Sequence, residues 1–343
     1  MLEGHGDDAW KYQQPIHADF SSNVWYGALN TDLQQHLQAK IPTITHYPEV
    51  DARTIQAEAA AAYGVAPEQV LVTNGATEAI YLIAQAHFGG SATVLTPAFA
   101  EYEDACRLHR LQVRLQAWET VRKDDLFTTD LVFVCNPNNP TGLAFPVDRL
   151  QELLRNNAQS LFVIDESYIE FTNKTSSFLP ILADHPNALI LRSLTKSCRI
   201  PGLRIGFALG HTRYINQLRR LKMPWSVNQM AIAAASYIFH HPEQFVLPLE
   251  SLLETTASWR SALQTATGWR VLDTDTHYFL MEIPAAFSAA QLKQHLVTQH
   301  GLLIRDAANF RGLTTQHFRI ACQTPDENQL LTDALYQCSQ TGL

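Results

Sequence analysis

The chain has 343 residues, 46% of them hydrophobic and 17% charged, with a formal net charge of −8. That length accommodates one large and one smaller domain around substantial cores, and the composition is that of a globular protein, not a disordered one. The acidic balance gives no reason to expect nucleic acid or an anionic membrane as partner, so positive charge for an anionic ligand must be concentrated locally. No uninterrupted apolar run approaches the ~20 residues of a membrane-spanning helix. The N-terminus, Met1 to Asp8, is polar and acidic and lacks the basic start and apolar run of a signal peptide. Five scattered cysteines (Cys106, Cys135, Cys198, Cys322, Cys338) include no Cys-x-x-Cys pair, which predicts reduced thiols in the cytoplasm and no zinc site.

From Val70 to Gly210, short apolar, β-branched runs alternate with helical patterns. The expected strands are Val70–Thr73, Ala92–Thr96, Val113–Ala117, Leu131–Cys135, Leu161–Asp165, Ala188–Arg192 and Ile205–Leu209, with helices such as Glu78–His87 and Val147–Asn156 between them. Crossovers of this length predict an α/β fold with a mostly parallel sheet covered on both faces, whose ligands sit beyond the carboxyl ends of the strands. After Trp225 long helices are expected over Gln229–His240 and Glu243–Thr265. Strand and helix then alternate through Tyr278–Ile283, Ala289–His300, Leu302–Arg305, His317–Ala321 and Glu327–Cys338. The expected division is an N-terminal segment (1–44) packing with the small domain, a large domain (45–228) and a small α/β C-terminal domain (229–343).

Polar residues that could carry chemistry follow the strand runs. Asn74-Gly75-Ala76-Thr77-Glu78 joins a strand to a helix, and backbone amides at a helix start can bind an anion where glycine permits close approach. Pro97 to Tyr102 includes Phe99, whose bland reading is core packing. Asn136-Pro137-Asn138-Asn139-Pro140-Thr141-Gly142 is a turn cluster by composition. Asp165 ends a strand, where it could simply cap a turn, with Tyr168 three residues later. In Ser193-Leu194-Thr195-Lys196-Ser197-Cys198-Arg199-Ile200-Pro201-Gly202-Leu203-Arg204, a lysine among apolar residues lies between a hydroxyl and an arginine. Desolvation and a neighbouring cation both favour its neutral amine, the form that attacks a carbonyl. Cys198 beside it reads as packing.

Together these strings resemble the class I/II aminotransferases, the fold-type-I enzymes that depend on pyridoxal 5′-phosphate, over nearly the whole chain. The resemblance implies that Lys196 binds the cofactor covalently, that Asp165 holds its pyridine nitrogen, and that Tyr168 and Asn139 hydrogen-bond its ring hydroxyl. It also implies that Phe99 stacks on the ring and that Gly75, Ala76, Thr77, Ser193 and Arg204 hold its phosphate. Tyr47, in His46-Tyr47-Pro48, matches a tyrosine that reaches the partner subunit's cofactor, which implies a homodimer with shared active sites. Arg319, in Phe318-Arg319-Ile320-Ala321, resembles the arginine that holds a substrate carboxylate, and Arg305 adds a second cation. Arg311 reads as a further ligand contact or, alternatively, as a surface arginine paired with Asp306 and its neighbours.

Within the superfamily the chain is most similar to histidinol-phosphate aminotransferases and to the threonine-phosphate decarboxylases of cobalamin synthesis. Gly4-His5-Gly6, Asp19-Phe20-Ser21-Ser22-Asn23 and the Ile304–Leu313 arginine loop resemble the decarboxylases, placing His5 and Asn23 at the substrate. The chain departs after Asn23, where Trp25-Tyr26-Gly27 replaces the usual Asn-Pro-x-Gly. A phosphorylated amino acid or amine is the implied substrate, and the resemblance points first to an L-threonine-O-3-phosphate decarboxylase, with a histidinol-phosphate aminotransferase or another small amino-acid aminotransferase as the alternative. The alternative from another class, a non-catalytic effector-sensing module, is disfavoured by the retention of Lys196, Asp165 and Asn139.

Overall fold

The computed structural model of the protein describes residues 6–342. In chain order the strands are β1 (Ala18–Asp19), β2 (Val70–Thr73), β3 (Ser91–Thr96), β4 (Gln112–Ala117), β5 (Leu131–Cys135), β6 (Leu161–Asp165), β7 (Ala188–Ser193), β8 (Gly206–Gly210), β9 (Arg270–Val271), β10 (Tyr278–Glu282), β11 (Leu302–Leu303), β12 (Arg305–Asp306) and β13 (His317–Ala321). The helices are α1 (Thr31–Lys40), α2 (Arg53–Tyr63), α3 (Gly75–Ala86), α4 (Glu101–Leu108), α5 (Val147–Asn156), α6 (Thr212–Leu221), α7 (Gln229–His240), α8 (Leu249–Thr267), α9 (Ala289–His300) and α10 (Pro325–Thr341).

Seven strands form one sheet in the order β2-β8-β7-β6-β5-β3-β4, in which β8 alone runs antiparallel to its neighbours. Because successive side chains point to opposite faces, the strands feed two cores at once. Val70, Val132, Val134, Phe162, Ile164 and Phe207 join α2, α5 and α7 on one face. Leu71, Leu131, Phe133, Leu161, Val163 and Ala208 join α3, α4 and α6 on the other. Phe133 and Phe162 are fully buried, each worth about 1.5–3 kcal/mol relative to an exposed position. Helix α5 shows why the covering helices form. Leu150, Leu153 and Leu154 make its buried stripe, Asp148 lies in its first turn and Arg155 in its last, where each charge complements the helix dipole.

A second, antiparallel sheet has the order β12-β13-β10-β9. It packs with α8, α9 and α10 around Trp259, Phe279, Leu292, Phe318 and Leu331. Strand β1 pairs in parallel with β11, Ala18 opposite Leu302 and Asp19 opposite Leu303, which brings the chain following β1 beside this region. No helix among the described residues is long and apolar enough to cross a membrane.

Three expected elements differ. The run Leu302–Arg305 is not one strand: Leu302 and Leu303 pair with β1, while Arg305 and Asp306 pair with β13, and buried Ile304 turns the chain between the two sheets. The helix expected from Glu243 begins at Leu249, because Pro248, its N-cap residue, cannot sit in a helix interior. Helix α7, expected with the C-terminal domain, places Ala231, Ala234, Ala235 and Ile238 in the large-sheet core, where Leu33 of α1 also lies. Residues 1–44 therefore divide, β1 siding with the C-terminal sheet and α1 with the large one.

Candidate active site

The carboxyl ends of β2, β3, β5, β6 and β7 converge on a chamber lined by Ala76, Thr77, Phe99, Asn139, Asp165, Tyr168, Ser193, Lys196 and Arg204, together with Tyr102, Cys135, Ser167 and Thr195. Strand β8, being antiparallel, brings Arg204 to the same edge through its entry. Gly75 adopts φ +75° as it opens α3, a conformation that favours glycine, and a Cβ there would stand 2.5 Å from Arg204 Nη2. A side chain on Gly206 of β8 would likewise strike the backbone nitrogen of Ala76. Asn74 precedes α3 without capping it through its side chain, which leaves the first amides of the helix available to an anion. Ser193 Oγ and Thr195 Oγ1 lie 2.7 Å apart at the same end, and Arg204 Nη1 donates to Pro201 O at 3.1 Å.

At the other end Asp165 is buried and held on both oxygens. Tyr102 donates its hydroxyl to Oδ2 at 2.7 Å, while Ser167 donates its hydroxyl (2.6 Å) and its amide (2.9 Å) to Oδ1. Tyr102 is itself stacked on Phe133, with centroids 5.2 Å apart, and meets the Phe99 ring edge-on. Burial, then the Arg204 and Arg319 charges, push the Lys196 amine down to about 8, against the opposing pull of Asp165 and Asp7. Burial also pushes the Tyr168 phenol up to about 12, with Arg319 acting in the other direction, so Tyr168 remains a hydroxyl donor near neutral pH. Cys198 packs in the large-sheet core, and burial raises its thiol to about 12.

An outer chamber opens from the first. It shares Thr77, Phe99, Asn139, Tyr168, Lys196 and Arg204, and adds Gly6, Asp7, Ser21, Ser22, Asn23, Arg305, Phe310 and Arg319. Arg319 is 5% exposed. It donates through Nη1 to Asn139 Oδ1 and through Nη2 to Ser21 O at 2.6 Å, both neutral acceptors, and its Nε has no partner among the described residues. Both polar atoms of the buried Asn23 amide are also without partners there. Arg305 donates to Asp306 O (2.6 Å) and to Asn309 Oδ1 (2.8 Å), with its guanidinium 5.1 Å from the Phe310 ring centroid. Burial and then the neighbouring Arg319 charge hold Arg305 down to about 10.

Of the residues singled out in the sequence, the structure gathers Ala76, Thr77, Phe99, Asn139, Asp165, Tyr168, Ser193, Lys196 and Arg204 into the inner chamber, with Gly75 at its wall. It brings Asn23, Arg305 and Arg319 into the outer one. Tyr47 lies in neither; it is 85% exposed and packs against Trp225 with ring centroids 5.2 Å apart. His5 lies outside the described residues. Arg311 lines neither chamber and pairs with Glu103, not with Asp306. Tyr102, Ser167, Thr195, Asp7, Ser21 and Ser22 escape the sequence reading. Ser167 had a signal, since an Asp two residues before a Ser can close an Asx turn. Asp7 had none, because its segment reaches the chamber through contact with distant Ser21.

The class I and II aminotransferase family model matches residues 17–335. The chain belongs to that family. It is 31% identical to the threonine-phosphate decarboxylase of Salmonella typhimurium, covering 92% of this chain and 90% of that protein. It is also 31% identical to a histidinol-phosphate aminotransferase of Pseudomonas putida, covering 84% of each. Among solved structures, the L-threonine-O-3-phosphate decarboxylase of Porphyromonas gingivalis superposes with a TM-score of 0.91 at 35% identity, covering 94% of this chain and 99% of that one. The protein is thus an enzyme of a superfamily that uses pyridoxal phosphate. Its inner chamber fits that cofactor: anion donors, a fixed carboxylate and the Phe99 ring all line it, and an amine of lowered basicity borders the space.

Proposed function

We infer that this aminotransferase-family protein is a decarboxylase of a phosphorylated amino acid, L-threonine O-3-phosphate. The observation that carries the reading is the pair Arg305 and Arg319, two buried guanidiniums facing one chamber in a chain of net charge −8. Arg319 spends its donors on neutral oxygens, and its Nε has no partner among the described residues. Buried charge of this kind calls for an anion, and a guanidinium fork matches carboxylate and phosphate alike. L-Threonine O-3-phosphate carries one of each, whereas histidinol phosphate has no carboxylate. The relatives named above act on phosphorylated substrates of both kinds, and the solved decarboxylase superposes with a TM-score of 0.91 at 35% identity, against 0.86 at 22% for a histidinol-phosphate aminotransferase of Clostridium acetobutylicum.

When bound, pyridoxal phosphate supplies an aldehyde that condenses with amines and a ring that accepts the electrons left at the substrate Cα. The amides of Ala76 and Thr77, with Ser193 and Arg204, would hold its phosphate against the Gly75 turn. Asp165, fixed by Tyr102 and Ser167, would hold the ring nitrogen, Tyr168 and Asn139 the ring hydroxyl, and Phe99 the ring face. Lys196 acts twice in this reading. Its neutral amine anchors the cofactor, and its protonated Nζ delivers to Cα the proton that replaces the departing carboxylate. Arg319 also orients Asn139: by occupying Oδ1, it leaves the amide nitrogen as the group available to the inner chamber. Arg319 and Arg305, gripping two anionic groups at separate points, would restrict rotation about the bonds to Cα and so select the bond that breaks.

The same reading includes a homodimer and a cytoplasmic setting. Tyr47, Trp225 and Val50 are exposed and adjoin one another, and Ile41, Ile44 and Met223 are exposed in neighbouring segments, an apolar surface suited to a second copy that would receive Tyr47. The five cysteines are free and buried, as suits a reducing compartment. The test is carbon dioxide release from L-threonine O-3-phosphate by cofactor-loaded protein without any oxo acid. Steady release is expected. Absence of release, with histidinol phosphate and 2-oxoglutarate consumed instead, would replace the decarboxylase with a transaminase.

A further inference from the structure

Arg311 follows Phe310 directly, and Phe310 and Arg305 both line the outer chamber. Its guanidinium leaves the C-terminal region and meets Glu103 on α4 of the large domain, Nε to Oε2 at 2.9 Å and Nη2 to Oε1 at 3.1 Å. This two-point fork defines direction as well as distance, which a single contact cannot. Glu103 is 2% exposed and also takes Arg107 at 2.6 Å. Burial alone would raise its carboxyl, yet the arginine pairs carry it below the ordinary carboxylate range.

Both ends of this bridge lead to the active site. On the loop side, Phe310 N donates to Ala307 O and Leu313 N to Phe310 O, so residues 307–313 form a compact turn. That turn sets Arg305, through the Asn309 side chain and the face of the Phe310 ring. On the helix side, the residue before Glu103 is Tyr102, whose hydroxyl holds Asp165 at 2.7 Å. The bridge therefore ties the loop that shapes the substrate chamber to the helix that fixes the cofactor-facing carboxylate.

We propose that Arg311 is a positioning residue, a latch across the two lobes whose ion pair with Glu103 holds Arg305 and Phe310 in the outer chamber. It touches neither chamber itself, and its effect is exerted on substrate affinity through the loop. The choice of substrate in the test rests on the function inferred above, and the latch can be read without it. Arg311→Met removes the bridge and leaves Glu103 paired with Arg107, so no buried charge is stranded. Arg311→Lys keeps the charge and gives up the fork.

Cofactor-loaded wild type, Arg311→Met and Arg311→Lys are compared for visible cofactor absorbance and for kcat and KM in carbon dioxide release from L-threonine O-3-phosphate. Arg311→Met is expected to load cofactor fully and to raise KM about tenfold with kcat nearly unchanged, a size typical of residues coupled through a shared contact. Arg311→Lys is expected to fall between the other two. An unchanged KM in Arg311→Met, or a loss of cofactor loading with KM unchanged, overturns the latch. Titration with inorganic phosphate, followed by the cofactor absorbance, repeats the comparison without turnover. If the wild type releases no carbon dioxide, the decarboxylase reading fails, while weaker phosphate binding by Arg311→Met still supports the latch and equal binding still overturns it.

Discussion

The two chambers are built from different parts of the chain. Every lining residue of the inner one falls between Ala76 and Arg204, along the edge of a single sheet, whereas the outer one joins Gly6–Val24, the rim of that sheet and Arg305–Arg319. The inner chamber needs only the register of neighbouring strands, such as Cys135 opposite Asp165 and Asp165 opposite Leu191. The outer chamber needs three distant segments to pack closely. β1 must pair with β11, Arg319 must reach Ser21 O and Asn139, and the 307–313 turn must meet α4. A shared chemistry can therefore be kept in one chamber while the substrate is changed in the other, as expected where function resides in sites grafted onto a common fold.

That contrast can be broken most severely at Lys196, one of the residues both chambers share. Lys196→Ala should lower turnover by at least ~10³-fold, since general acid–base and covalent roles are lost together. It should also remove the visible absorbance of covalently bound cofactor; retention of full activity would sink the assignment. Next in size is a pair of variants, Arg319 of the outer chamber and Arg204 at the phosphate end of the inner one. Arg319→Lys should raise KM by roughly 10–100-fold, the range for losing charge-assisted hydrogen bonds. Arg204→Ala should instead weaken cofactor retention by about tenfold on the same grounds, with KM for substrate changed far less. Equal effects of both variants on both quantities would mean that the chambers are not separable.

The smallest effect is one of pH. The Lys196 amine sits at about 8, below its ordinary value of 10.5. Its folded state therefore sheds the proton before the unfolded chain does. Covalent cofactor uptake by the apoprotein should rise as pH climbs through about 8, where the neutral amine appears. Stability from this group should increase from there toward 10.5, because only the unfolded chain still binds the proton. Uptake that is flat from pH 7 to 9 would show that Lys196 is not desolvated as described.

The same contrast explains what can be read from the sequence. Gly75, Asn139, Asp165 and Lys196 are legible because each follows a run of buried apolar residues, and strand ends are where such sheets place ligands. Tyr102 is not, since its role depends on meeting Asp165 across 63 residues of sequence. Arg311 reads locally as a ligand contact or as a partner for Asp306, and only the folded chain reveals Glu103, 208 residues away, as its acceptor. The split of Leu302–Arg305 between two sheets has the same origin. A short apolar run signals extended chain but does not say which strand will pair with it.

The central claim is that the outer chamber reads two anionic groups on one small substrate. It is tested most directly by the ratio of kcat/KM for L-threonine O-3-phosphate over L-threonine. Loss of the phosphate removes the charge-assisted hydrogen bonds that one guanidinium would make to it, so a preference of at least ~10²-fold is expected. Values within a few-fold of each other would contradict it, because the second arginine would then have no anion to recognise.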